Sequence, residues 1–207
     1  LNIMEKIIQL HSLPNLLALR WYYLDYECFF RVLSMTKRLK FLSVNFEIFL
    51  DALNCVHFTI RTFPELQILE IFLSNDHNGD SSLFANFLRL NPSIKVFRMQ
   101  PSSQSIYEAI CANNSDQYQL SIEELSVESL LFNQISIFLF SLLQMPKLKR
   151  LLVSYGWDKK EQISFPTAEF NLLRIEQLTI RPRCANCSVT NLLLSLIPNV
   201  PLLSVLT

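Results

Sequence analysis

Glycine is nearly absent: only Gly79 and Gly156 occur in 207 residues. A Walker A loop and a GxGxxG turn each need several glycines close together, so neither nucleotide-binding motif is present. Net charge is missing too, since 18 Lys and Arg face 18 Asp and Glu. A neutral chain lacks the long-range attraction that a phosphate backbone rewards, and nucleic acid is not expected as a partner. Long apolar runs are also lacking. The best stretch, Leu130 to Met145, is interrupted by Asn133, Gln134 and Gln144 and falls short of the roughly 20 residues that cross a bilayer. The run from Leu192 is broken by Pro198, Asn199 and Pro201. No membrane span is expected. The five cysteines are an odd, sparse set. They read as free thiols in a reducing compartment, which places the protein inside the cell, in cytoplasm or nucleus. The chain starts at Leu1 rather than methionine and reads as a fragment of a longer protein, from which a signal peptide could have been lost.

What is present in quantity is apolar residue: 50% hydrophobic against 17% charged, a balance suited to a packed core and not to disorder. These residues recur in a phrase: apolar, two variable, apolar, one variable, apolar. The copies are Leu16-Leu19-Trp21, Leu39-Leu42-Val44, Leu66-Leu69-Ile71, Ile94-Phe97-Met99, Ile122-Leu125-Val127, Leu148-Leu151-Val153, Ile175-Leu178-Ile180 and Val200-Leu203-Val205. The eight copies are separated by 23, 27, 28, 28, 26, 27 and 25 residues. Proline stands two positions before the first apolar residue in five of them, at Pro14, Pro64, Pro92, Pro146 and Pro198. Proline cannot continue a helix and extends its predecessor, so each marks a helix ending where a strand is about to begin.

Between the phrases the spacing predicts short amphipathic helices at Glu27–Met35, Phe46–Leu53, Ser81–Leu90, around Ile106 and Ile110, at Ile135–Leu143 and at Val189–Leu196. Asp80 and Ser81 are candidate caps for the third. Helices of this length are marginal alone. Each strand–helix unit must bury its apolar side on the next, which makes residues 1–207 a single stacked domain. Polar stretches at Ser74–Ser82 and Asn113–Gln119, and the irregular Tyr155–Phe165, read as rim loops of the stack.

This repeat resembles the leucine-rich repeat, in the LxxLxL form with a helical second half. In particular it resembles the repeat region of F-box/leucine-rich-repeat proteins, over Leu13 to Val205. The resemblance implies an α/β solenoid of about eight degenerate repeats, a curved horseshoe with parallel strands on the concave face and helices on the convex face. It also implies binding of a protein partner on the concave face. The finer expectation is substrate recognition for an SCF-type ubiquitin ligase, with the Skp1 and cullin machinery recruited by an F-box outside this chain. Two family features are missing. No F-box is visible before the first phrase. The asparagine or cysteine expected eight positions after the first leucine is replaced by Leu24, Glu47, Ser74, Ser102, Leu130, Gly156 and Arg183.

Reactive chemistry finds little support. His11, His57 and His77 sit with no ligand set, and the Asp76-His77 pair is better read as a solvated loop than as part of a metal site, which needs three or four converging ligands. Cys184 and Cys187 form a lone CxxC. It reads as two ordinary rim thiols, and a redox role is the one route to an enzyme. No enzyme activity, cofactor or metal is expected. Asn113 and Asn186 lie in glycosylation acceptor patterns, which matter only to the alternative of a secreted or membrane-anchored receptor ectodomain.

Side chains alternate across a strand. The phrase residues therefore face the core, and the second, fourth and sixth positions after its first residue face the partner. Among these, Phe41, Ile68 and Val96 form one apolar row on successive strands, with Tyr22 and Phe72 nearby. Water-facing strands favour polar residues, so such a row suggests a contact surface, and aromatics and arginines dominate interface energetics. The expected binding set is Arg20, Tyr22, Phe41, Ile68, Glu70, Phe72, Val96 and Arg98. Glu70 is expected beside Arg98, and Glu124 beside Arg150, on adjacent strands.

Overall fold

The computed structural model describes residues 15–22, 25–54, 62–73, 81–112, 119–131, 134–155, 174–182 and 203–206. The expected helix at Val189–Leu196, the histidines, Cys184, Cys187, Asn113 and Asn186 lie outside these residues, as does most of the expected rim loops.

The protein is α/β. Among the described residues eight strands form one sheet in sequence order, and every neighbouring pair is parallel. They are β1 (Ala18–Trp21), β2 (Phe41–Asn45), β3 (Ile68–Phe72), β4 (Val96–Gln100), β5 (Glu124–Leu130), β6 (Arg150–Tyr155), β7 (Gln177–Pro182) and β8 (Val205–Leu206). The helices among the described residues are α1 (Tyr26–Met35), α2 (Phe46–Asn54), α3 (Ser82–Leu90), α4 (Gln104–Cys111) and α5 (Ile135–Leu142). Successive helices pack side by side, so each unit touches chiefly its sequence neighbours.

The proline joints work by local hydrogen bonding. Leu66 N–H donates to the Phe63 carbonyl, Ile94 to Asn91 and Leu148 to Met145, each at 3.0 Å. Proline is the second residue of each four-residue turn, where its fixed φ is already suitable. Such turns need no positive φ, so these joints call for no glycine. Among the described residues only Ser129 has positive φ, at 57°. It sits at a bulge in β5, where the register slips between Val127 and Leu130. Such a bulge re-aims the end of a strand.

At each new strand, two consecutive N–H groups donate to one carbonyl of the preceding unit. Lys40 and Phe41 donate to Leu17, and Gln67 and Ile68 to Lys40. The same device recurs on Gln67, Lys95, Glu123, Lys149 and Glu176. It fixes the register of every unit and corrects the last one. Ser204 and Val205 donate to Glu176, and Leu178 aligns with Leu206. Leu203, not Val200, is therefore the equivalent of Ile175. Pro201 rather than Pro198 stands two positions before it. Val205 is 44% exposed, on the face away from the helices, and not a core residue. Two proline-apolar phrases overlap here, and sheet pairing selects the later one.

The core is one cluster of strand residues facing helix residues. Leu42, Val44, Leu69, Ile71, Phe97, Met99, Leu125, Val127, Leu151 and Val153 alternate inward and are buried. Burial of each such side chain is worth about 1.5–3 kcal/mol. Aromatic rings link the units: Trp21 to Phe29 at 5.9 Å, Phe29 to Phe49 at 6.4 Å, Phe49 to Phe84 at 6.0 Å and Phe84 to Phe97 at 5.7 Å.

Buried polar side chains join units where backbone groups would otherwise lack partners. Asn91 Oδ1 accepts from Phe63 N–H at 2.6 Å, and its Nδ2 donates to the Phe87 carbonyl at 2.8 Å. Ser102 is buried and donates to the Ser129 carbonyl of the next unit at 2.9 Å. Ser81 occupies the cap position of α3, but its hydroxyl makes no capping bond and donates instead to Ser105 Oγ at 3.1 Å. Asp25 caps α1 by accepting from Cys28 N–H at 2.9 Å.

Candidate functional site

The face of the sheet turned away from the helices carries the expected binding residues. Its first row runs Ala18, Phe41, Ile68, Val96, Glu124, Arg150, Gln177, Val205. Its second runs Arg20, Ser43, Glu70, Arg98, Ser126, Leu152, Thr179. In the third, Asn45 aligns with Phe72 and Phe72 with Gln100.

All eight expected residues lie on this face and divide into two groups that meet at β3 and β4. The first is aromatic and aliphatic. Phe41, Ile68, Phe72 and Val96 are half-buried, and Tyr22 is 51% exposed. Arg20 places its guanidinium carbon 5.3 Å from the Phe41 ring centroid, a cation–π arrangement. Tyr22 reaches across β2 to meet Phe72 edge-on, with ring centroids 5.3 Å apart. Its hydroxyl lies 3.1 Å from Ser43 Oγ.

That crossing corrects one expectation. Ser43 and Ser154 hold outward positions in sequence, yet both are buried. Ser43 is small enough for the tyrosine to bond over it. Asn45, also expected to face a partner, has another duty. Its Oδ1 accepts from Glu47 N–H at 2.9 Å and Ile48 N–H at 3.4 Å. It thereby caps α2, which follows β2 with no intervening loop.

The second group is ionic. Arg98 Nη1 donates to Glu70 Oε1 at 2.7 Å, and Arg98 Nη2 lies 3.6 Å from Glu124 Oε1. Arg150 Nη2 lies 2.8 Å from Glu124 Oε2. The two expected pairs are thus one continuous ladder, Glu70–Arg98–Glu124–Arg150, across four strands. The hydrogen bond that Arg98 donates to Glu70 holds its guanidinium above the ordinary pKa, against the opposing cost of partial burial. Sequence reading misses the link from Arg98 to Glu124 because it is diagonal rather than along a row. Gln100 adds a neutral rung, donating to Glu128 Oε1 at 2.6 Å.

Beside the ladder is an open depression of about 350 Å³, lined by Arg98, Glu124, Ser126, Arg150, Leu152, Gln177 and Thr179. Among the described residues no group of three or more His, Cys, Asp or Glu could hold a metal ion, and no helix is long and apolar enough to cross a membrane. Cys111 is a half-buried thiol whose pKa is pushed up to about 11 by burial, aided by Glu108. It is therefore protonated and a weak nucleophile at neutral pH.

Comparison with known proteins gives no relative: no family model, no curated protein and no solved structure matches this chain.

Proposed function

We propose that this chain is a leucine-rich-repeat solenoid whose outward sheet face binds a protein partner, without catalysing a reaction of its own. The repeat assignment rests on the recurring phrase, the proline turns and a parallel sheet in sequence order. The binding reading rests on one observation above the others. Phe41, Ile68 and Val96 align on three adjacent strands, flanked by Tyr22 and Phe72, on the face away from the core. Apolar residues there contribute nothing to the core cluster, whereas covering them with a partner removes them from water.

The mechanism is display. Tyr22 against Phe72, Arg20 over Phe41 and Arg98 between two glutamates hold these side chains in place before a partner arrives. Ordering a long side chain on binding costs roughly 0.5–1.5 kcal/mol, and prior contacts lessen that cost. Truncating the aromatic patch with Phe41→Ser and Phe72→Ser should abolish recovery of partners in a pull-down while the chain stays folded by circular dichroism. Retention of every partner by that variant would sink the reading.

The finer form is substrate recognition within an SCF-type ubiquitin ligase, and it rests on the family resemblance alone. Affinity purification of the full-length gene product from cells tests it. Recovery of Skp1 and cullin subunits supports it. Recovery of other proteins through the aromatic patch, with those subunits absent, leaves a scaffold and removes the ligase role.

A further inference from the structure

We propose that the partner segment is bipartite: an extended peptide whose apolar side chain lies on Phe41, Ile68 and Phe72 and whose aspartate or glutamate docks on Arg150. This inference rests on the protein-binding reading above and adds the chemistry of the partner.

The ladder has an open end. Glu124 uses both carboxylate oxygens, one toward Arg98 and one toward Arg150. Arg98 uses Nη1 on Glu70 and Nη2 on Glu124. Arg150 engages the ladder through Nη2 alone, and its side chain is 57% exposed. Beyond it, the outward positions of β6 and β7 hold Leu152, Gln177, Thr179 and Arg181. They include a second cation and no carboxylate. An alternating series of charges therefore stops on a cation at the edge of the depression, next to the hydroxyls of Ser126 and Thr179.

A carboxylate is the group that continues the series. Arginine presents further N–H donors in a planar fork matched to a carboxylate, and the hydroxyls can donate to the same anion. A lysine or arginine of the partner would meet Arg150 with like charge. A dianionic phosphate would lie close to Glu124, whereas a monoanion adds less repulsion. The spacing follows from the sheet. From Ile68 on β3 to Arg150 on β6 is three strand intervals, about 14 Å, which an extended peptide spans in about four residues. The expected motif is an aliphatic or aromatic residue and an acidic residue about four positions apart.

The test is selection of random dodecapeptides, displayed on phage, against the 207-residue chain and two variants of matched melting temperature. The wild type should enrich Asp or Glu about four positions from an apolar residue. Arg150→Gln should erase the acidic preference, keep the apolar one, and weaken the selected peptides about tenfold, the order expected for a lost charge-assisted hydrogen bond. Phe41→Ser with Phe72→Ser should erase the apolar preference. Peptides lacking an acidic residue, or an acidic preference that survives Arg150→Gln, would overturn this proposal and leave the binding face standing. Failure of the wild type to enrich anything over the double serine variant would overturn the binding face and this proposal together.

Discussion

Phe84 on α3 is the place where the stacking of units can be measured. Its side chain is fully buried. Its ring lies 5.3 Å from Phe46, 6.0 Å from Phe49 and 5.7 Å from Phe97. Those partners belong to the preceding unit and to the following strand. Each aromatic contact adds about 0.5–1.5 kcal/mol beyond the area it buries. Leucine restores part of the volume, so Phe84→Leu should cost about 2 kcal/mol. With a urea slope of about 2 kcal/mol per molar, the unfolding midpoint falls by about 1 M. Phe140 on α5 is the control: it is 40% exposed, and Phe140→Leu should cost less than about 0.5 kcal/mol. The assay is urea denaturation followed by far-ultraviolet circular dichroism. Stability in a linear stack is a sum of unit and interface contributions. Phe84→Leu should therefore also broaden the transition as the units on either side of α3 begin to unfold separately. Equal midpoint shifts for the two variants, or none for Phe84→Leu, would refute the claim that the aromatic column couples the units.

Asn91→Ala removes the acceptor for Phe63 N–H and the donor to the Phe87 carbonyl. Leaving buried backbone groups unpaired costs about 1–3 kcal/mol each, so thermal melting should show a clear drop. A drop within error would mean that water replaces both bonds. Cys111 tests burial through pH. Its thiol titrates near 11 in the folded protein against an ordinary 9.0, so the unfolded chain loses the proton first. Stability from this group is constant below pH 9 and declines as pH rises from about 9 toward 11. In a chain with the other cysteines replaced by serine, iodoacetamide should modify Cys111 far more slowly than in urea at pH 8, and equal rates would contradict the burial. The last unit distinguishes two registers. Leu203 packs on the core while Val205 is 44% exposed, so Leu203→Asp should lower the melting temperature and Val205→Asp should leave it nearly unchanged. The reverse order would restore the phrase beginning at Val200.

Much of this architecture can be read in the sequence because its determinants are local and repeated. The phrase Leu66-Leu69-Ile71 fixes which side of β3 is buried, and Pro64 fixes where the turn closes. Neither needs knowledge of the rest of the chain. The helices α1, α2, α3 and α5 fall within one residue of the expected boundaries at each end for the same reason. The readings fail where two local signals compete or where a distant partner decides. Pro198 and Pro201 both satisfy the joint pattern, and only pairing with β7 separates them. Ser81 has the composition of a cap, yet a hydroxyl one unit away takes its hydrogen bond. The bulge at Ser129 has no signal in the sequence, since no glycine or asparagine marks the positive φ.

The candidate site is legible to a different depth. Row membership follows from strand alternation once the register is known, so Phe41, Ile68 and Val96 could be aligned without coordinates. What each side chain does within a row depends on its length and on its neighbours two strands away. Tyr22 is long enough to pass over Ser43 and reach Phe72, so a polar outward position becomes a buried one. Arg98 is long enough to bridge Glu70 and Glu124, so two pairs become a ladder. Long side chains thus carry the information that row counting loses. The ladder consequently has a direction: it ends on Glu70, whose side chain is 15% exposed, at one side and on Arg150, 57% exposed, at the other. That asymmetry, rather than the net charge of zero, is what would let this face distinguish one end of a bound segment from the other.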